Sequence, residues 1–279
     1  MEKKVWARRY VLLLMTLMAF SGAVRAASET RLIRVTADPW CPYNCNVDDA
    51  RQGFMIDIAR AALALSGYTL EYRTVNWARA KKMVLAGEVE AIVGMSRTPE
   101  NISAYVFPKF PLGKSRICFF KLNDNDWQYQ SPESLNDKTV GWINDFGVGA
   151  DGTLNEWRKK NWETKNISIL SGDNVHERLM KMLSAGRIDT FVEDQSVISY
   201  SLKKIGFDQS ISNAGCIKHI DWVYLAFSKE FAEADKWAKA VENGVNVLAA
   251  NGKLDAILAS YGLTRDSWLT ENWQEVKFE

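Results

Sequence analysis

The sequence predicts an α/β protein made of two related lobes, and three observations predict it. Apolar positions change repeatedly from a period of two to a period of 3.6 and back, the alternation that builds a mostly parallel sheet covered by helices. The stretch "RAKKMVLAGEVEAIVG" (Arg79 to Gly94) returns without gaps as "RLMKMLSAGRIDTFVE" (Arg178 to Glu193), identical at six positions, with Val89 facing Ile188 and Glu90 facing Asp189. The copies lie 99 residues apart, too far for a solenoid period, so they point to two lobes on one plan. Polar residues also close three of the expected strands, and open α/β sheets bind ligands beyond the carboxyl ends of their strands.

The chain opens with Lys3, Lys4, Arg8 and Arg9, the apolar run "YVLLLMTLMAF", and Ala23-Val24-Arg25-Ala26-Ala27. A basic start, an apolar segment too short to span a bilayer comfortably and small residues at a cut site read as a secretory signal peptide over residues 1–26. The mature product is expected to be soluble, exported and in an oxidising space. Removing those residues from the 279 leaves 253, with 30 basic and 33 acidic side chains and a net charge of −3. That balance argues against partners held by bulk positive charge, nucleic acid and anionic membranes among them. Ten tryptophans remain, more than packing requires, which points to aromatic ligand contacts.

The elements follow in order. Leu32 to Thr36 reads as the first strand, with Asp38 just past its end. Gly53 to Ser66 reads as a helix with Phe54, Ile58, Ala62 and Leu65 on one face and Gly67 as its stop, and Thr69 to Thr74 returns to strand. Each copy of the repeat is a helix stopped by glycine (Gly87, Gly186) that runs into a short apolar strand, Val89 to Gly94 before Ser96 and Ile188 to Glu193 before Asp194. "KTVGWI" (Lys138 to Ile143) is a further strand, and Asp173 is expected to cap the helix of the second copy. Phe231, Trp237, Val241, Val245 and Leu248 then form one helical stripe, and "NGKLDAILASYGL" a shorter helix.

The run from Arg31 to Phe120, with "QGFMIDIARAALALSGYTLEYRTVNWARAKKMVLAGEVEAIVGMSRTPE", resembles the first lobe of bacterial periplasmic solute-binding proteins of the amino-acid ABC transporter type, family 3. The likeness resumes at "LSAGRIDTFVEDQSVISY", "VYLAFSK" and "NGKLDAILASYGL", and so covers nearly the whole mature chain. The resemblance implies the two-lobed type II periplasmic binding protein fold with two crossing hinge strands, here near "SRICFFK" and "DWVYLAFSK". It divides the mature chain into residues 27–115 (first lobe), 116–222 (second lobe) and 223–279 (return to the first lobe). It also implies a monomer that carries a small amino-acid-like or cationic ligand to an inner-membrane ABC permease. The alternative is a component that presents ligand to a chemoreceptor or sensor kinase.

The family's binding positions carry over one at a time. The resemblance places Asp38 and Trp40 against the ligand, Trp77 over it, the Ser96 and Thr98 hydroxyls on its carboxylate and Asp194 on its ammonium. Two departures stand out: the arginine that clamps the ligand carboxylate in the family is Asn101 here, and the threonine-rich turn of the second lobe is replaced by "NDFGVG". A buried carboxylate needs partners, so Arg79, Arg97 or the free amides of the helix starting at Thr98-Pro99 are the expected substitutes.

"CPYNC" has one residue too many for a redox C-x-x-C pattern and lacks a second ligand pair for zinc. A local Cys41–Cys45 disulfide that holds Trp40 at a cleft is the better reading. Four cysteines allow three pairings that sequence does not decide; Cys118 and Cys216 both lie near the expected crossings. "GMSRT" is not a nucleophile elbow and neither histidine has a recognisable nucleophile partner, so no catalytic residue, cofactor or metal is expected. The same fold does host exported dehydratases, which leaves Glu193 beside Asp194 as an acid in a cleft under a third reading.

Overall fold

The computed structural model describes residues 31–148, 152–162, 164–206 and 209–268; the expected signal peptide lies outside them. In chain order the first elements are β1 (Arg31–Ala37), α1 (Phe54–Ala64), β2 (Tyr68–Thr74), α2 (Trp77–Leu85), β3 (Ala91–Ser96), α3 (Pro99–Ala104), β4 (Tyr105–Val106) and β5 (Gly113–Ser115). There follow β6 (Ile117–Leu122), β7 (Val140–Ile143), α4 (Thr153–Asn161), β8 (Ile167–Leu170), α5 (Val175–Ser184), β9 (Thr190–Asp194), α6 (Gln195–Ile205) and β10 (Ile211–Cys216). The chain closes with β11 (Asp221–Ser228), α7 (Ala234–Ala250), α8 (Lys253–Ser260) and α9 (Arg265–Trp268).

Two sheets result, one per lobe. The first has the order β2-β1-β3-β11-β4, with β5 also on β11; the second has the order β10-β6-β9-β7-β8. In the first, β1 is parallel to β2 and β3, whereas β11 runs antiparallel. In the second, β7 is parallel to β8 and β9, whereas β6 runs antiparallel to β9. The chain therefore passes between the sheets twice, through Arg116 alone from β5 to β6, and through residues 217–220 from β10 to β11. The two passages run side by side: Ser115 pairs with Asp221 on one sheet and Cys118 with Cys216 on the other, where a disulfide joins them.

The internal repeat is one local solution used twice. In the first copy Ala86, Gly87 and Glu88 donate their N–H groups to the carbonyls of Lys82, Val84 and Met83; in the second, Ala185, Gly186 and Arg187 donate to Lys181, Leu183 and Met182. Both glycines are left-handed, at φ 69° and 64°, the conformation this helix stop requires. The acidic residue that follows also has one job in both copies. Glu90 accepts the Arg34 backbone N–H at 2.8 Å, and Asp189 that of Thr139 at 2.7 Å, which extends each ladder by a side chain.

The turn occupies residues that alternation alone assigns to strand. β3 and β9 consequently begin two residues later than expected, and Ser96 and Asp194 end the strands themselves. Two expectations are corrected. Leu65 is exposed at the end of α1 instead of facing the core. Asp173 does not cap α5, because the helix starts from a left-handed Asn174 with no side-chain cap. Of the expected stripe, Trp237, Val241, Val245 and Leu248 are buried on α7 against α1 and the first sheet, whereas Phe231 lies before the helix begins and is only partly buried.

Candidate functional site

A cavity of about 460 Å³ lies between the lobes. It is lined from the first lobe by Asp38, Trp40, Asn44, Trp77, Ser96 and Thr98, and from the second by Ile143, Asp145, Phe146, Arg158 and Glu193, among others. Its volume falls in the range of sites that enclose a small molecule.

The lip is the loop after β1. Cys41 and Cys45 are bonded to each other, and across the mouth of that small ring Trp40, just before it, and Asn44, within it, exchange backbone hydrogen bonds, Trp40 N–H to Asn44 O at 2.6 Å and Asn44 N–H to Trp40 O at 3.2 Å. With both thiols consumed, the neighbouring Asp49 has no thiolate with which to share a metal. Gly53 lets the chain leave the loop at φ 102°, where an added Cβ would stand 2.4 Å from the Tyr43 carbonyl oxygen. The loop thereby fixes Trp40 against Tyr43, ring centroids 4.2 Å apart and stacked.

Two indole hydrogen bonds cross from lobe to lobe here: Trp40 donates to Glu193 Oε1 at 2.9 Å and Trp77 to the Asp145 carbonyl at 3.1 Å. The Tyr43 hydroxyl lies 2.7 Å from the Lys114 carbonyl and 3.2 Å from Asp194 Oδ2, and its single proton serves the nearer carbonyl. Trp77 is the first residue of α2, whose cap is Asn76, accepting from the Arg79 N–H at 3.0 Å. Both indoles thus present a face to the cavity and spend their N–H on the opposite lobe.

The carboxylates divide sharply. Asp38, one residue past β1, uses its backbone carbonyl to accept from Asn44 Nδ2 at 2.7 Å, while its carboxylate is bonded by its own backbone N–H and by no other described residue. Withdrawal from water pushes its pKa up to about 7; nearby His176 works against this and nearby Glu193 adds to it. Glu193 is only 1 % exposed and holds three groups: Trp40, the Asp194 N–H at 2.7 Å, and His176 Nε2 at 2.9 Å. Burial lowers the His176 pKa, but its bond to Glu193 and the surrounding negative charge outweigh it, and the net shift is upward.

Asp194 is the sequence-derived ligand group that the structure places elsewhere. Its side chain is fully buried and does not line the cavity. Oδ1 accepts the N–H groups of Ser196 (2.7 Å) and Val197 (3.0 Å) as the N-cap of α6; Oδ2 accepts from Ser115 Oγ (2.9 Å) and the Arg116 N–H (2.9 Å), with the Tyr43 hydroxyl beside it at 3.2 Å. Four donors occupy the acceptor capacity of the two oxygens. Burial raises its pKa to about 6, with the Val197 N–H pulling in the opposite direction.

The other expected residues separate in the same way. Ser96 and Thr98 line the cavity, Thr98 as the cap of α3. Asn101 also lines it, but its amide donates to the Ser96 carbonyl at 2.8 Å. Arg79 is exposed, and Arg97 is engaged with the buried Tyr224 hydroxyl; neither lines the cavity. The cations that do line it are Lys81, Arg158 and Lys159. Arg158 was hidden in the sequence within the run Arg158-Lys159-Lys160, which reads as an ordinary basic last turn of a helix. His176 was equally silent, since only the fold brings it to Glu193.

Residues 32–264 match the family described as bacterial extracellular solute-binding proteins, family 3. The chain belongs to that family. Across this solute-binding family a relative of similar length is the probable amino-acid-binding protein YxeM of Bacillus subtilis (strain 168), 21 % identical over 266 residues, covering 94 % of this chain and 96 % of the relative. Among solved structures, the arginine-, lysine-, histidine-binding protein ArtJ of Geobacillus stearothermophilus is similar, with a TM-score of 0.70 at 16 % identity, covering 88 % of this chain and all of that one. A histidine kinase sensor domain with similarity to periplasmic binding proteins also reaches 0.70, at 18 % identity, covering 83 % of this chain and 96 % of the other. These structures share the two-lobed type II fold. No helix among the described residues is long and apolar enough to cross a membrane.

Proposed function

We propose that this solute-binding protein works in the periplasm, after removal of its signal peptide, and captures a small amino-acid-like ligand that carries a cationic group. The lobes, residues 27–115 with 223–279 and residues 116–222, close on the ligand about the crossing strands and hand it to an inner-membrane ABC permease. The observation that carries the reading is the Asp38 carboxylate, which lines the cavity without a hydrogen bond from any other described residue. A desolvated carboxylate of this kind is stabilised by a cation brought to it. Trp40 and Trp77 supply aromatic faces beside it, which favour the same ligand charge. The similarity to YxeM, described as a probable amino-acid-binding protein, and to ArtJ, which binds arginine, lysine and histidine, supports the ligand class.

The cleft binds without chemistry in this reading; Glu193 is held by Trp40 and His176 as a structural link between the lobes. A thermal-shift screen of amino acids, polyamines and small carboxylates tests it, since a ligand that binds only the folded state raises the melting temperature. Stabilisation by cationic amino acids or amines is expected. Stabilisation by anions alone, or steady conversion of the bound ligand into a product, contradicts the proposal.

The similarity to a histidine kinase sensor domain favours one second reading, in which the loaded protein addresses a signalling receptor. Reconstituted partners separate the two: loaded protein stimulates the ATPase of a permease under the first and the activity of a receptor under the second.

A further inference from the structure

We propose that Arg158, on the second lobe, receives an anionic end of the ligand, so that the cleft selects a zwitterion with its cation at Asp38 and its carboxylate on α4. This rests on the ligand class proposed above and adds the group that recognises the second charge. Lys81, Arg158 and Lys159 are the cations that line the cavity among the described residues. Lys159 is exposed and paired with Glu156 at 3.0 Å. Lys81, on α2, makes no hydrogen bond among the described residues, and Asn101 is neutral and tied to Ser96.

Arg158 is held in place before any ligand arrives. One Nη donates to the Phe146 carbonyl at 2.8 Å, and the guanidinium carbon lies 5.6 Å from the Trp142 ring centroid and 5.3 Å from that of Trp162. Its Nε is shielded from water without a hydrogen-bond partner. Among the described residues no carboxylate forms a salt bridge with it, although the charges of Asp145 and Glu100 lie near enough to favour its charged form against burial. Most of a planar fork of five donors is therefore unspent beside the cavity, and that fork matches a carboxylate bidentately. Indole faces on the guanidinium fix the plane, which reduces the entropy lost on binding.

The test compares amino acids with the amines that lack only the carboxylate: L-arginine with agmatine, and L-lysine with cadaverine, by calorimetry on the full mature protein. The parent is expected to prefer the amino acid at least tenfold, and Arg158→Gln, which can still donate to Phe146, to reduce that ratio to less than threefold. Arg158→Lys keeps the charge but loses the fork, and is expected to give an intermediate ratio; it also serves if the glutamine variant does not fold. A parent that binds both members of a pair equally, an Arg158 variant that keeps the full ratio, or a collapse of the ratio in Lys81→Gln instead, each overturns the proposal. If neither member of either pair binds the parent, the ligand class itself is wrong and the proposal falls with it.

Discussion

Asp38 and Asp194 each stand at the carboxyl end of a strand with a parallel neighbour, one in each lobe, yet the fold uses them oppositely. Asp194 is followed at once by α6, so two of its bonds go to the first free amides of that helix and two more to Ser115 and Arg116. It thereby ties the second lobe to the crossing segment. Asp38 is followed by Pro39, which has no N–H to offer, and by a disulfide ring whose Tyr43 and Asn44 amides are spent on the Trp40 carbonyl and whose Cys45 amide is spent on that of Gln52. Its carboxylate is left to the cavity. In the reading proposed above, a strand-end carboxylate serves the ligand when the chain beyond it supplies no donors, and anchors the fold when it does.

The comparison breaks most directly at Asp38. Losing one partner of a desolvated charge pair costs about 2 to 5 kcal/mol, so Asp38→Asn should bind a cationic ligand roughly thirtyfold to several thousandfold more weakly by calorimetry. Parent-like affinity would return the ligand to another carboxylate.

Asp194→Ala should act on stability instead. Removing a cap and a buried acceptor of several bonds costs about 2 to 4 kcal/mol, which for a chain of this size lowers the melting temperature by roughly 5 to 15 °C. The fraction that remains folded should keep its affinity within about tenfold, because the loss acts through the crossing segment and not on the ligand. A stable variant with an affinity loss as large as that of Asp38→Asn would reverse the two assignments.

Protonation sharpens the contrast. The Asp38 pKa is about 7 in the folded chain, above its unfolded value. The folded state therefore binds more protons than the unfolded one over this interval, and this contribution to stability is full at about pH 4 and lost as pH rises through about 7. His176, also shifted upward, acts in the same direction as it deprotonates. Asparagine mimics the protonated carboxyl, so unliganded Asp38→Asn should gain stability over the parent between about pH 4 and 7, by at most a few kcal/mol. Denaturant melts at a series of pH values read this gap; a constant gap contradicts the burial of Asp38.

Smaller effects belong to the rim. Trp77→Phe removes one lobe-to-lobe hydrogen bond, about 1 kcal/mol, and should weaken binding roughly fivefold. Asn101→Ala, which loses only a bond to the Ser96 carbonyl, should change affinity by no more than about threefold.

Much of this architecture was legible in the sequence because it is written in local signals. The glycine stops at Gly87 and Gly186 and the apolar strands behind them gave both lobes, and the α7 stripe gave the helix that covers the first. Asp38, Trp40, Trp77, Ser96 and Thr98 were legible as cavity residues because each sits at or beside a strand end or a helix start. Arg158, in the cavity wall, and His176, behind it on Glu193, were not, since they come from the last turn of one helix and the first turn of another, positions that resemble solvated surface. That Asp194 stays out of the cavity wall was hidden for a related reason. Its sequence context says helix cap and strand end together, and only the fold brings Ser115 and the Arg116 N–H to its second oxygen.

The most direct test of the account is a proton count on binding. At pH 6, where Asp38 is largely protonated in the free protein, a cationic ligand should drive its ionisation and release a proton. Calorimetry with one cationic amino acid in two buffers of different ionisation enthalpy measures that release. The account predicts a substantial fraction of a proton released by the parent and by Asp194→Ala, and close to none by Asp38→Asn; equal release by the parent and Asp38→Asn would contradict it.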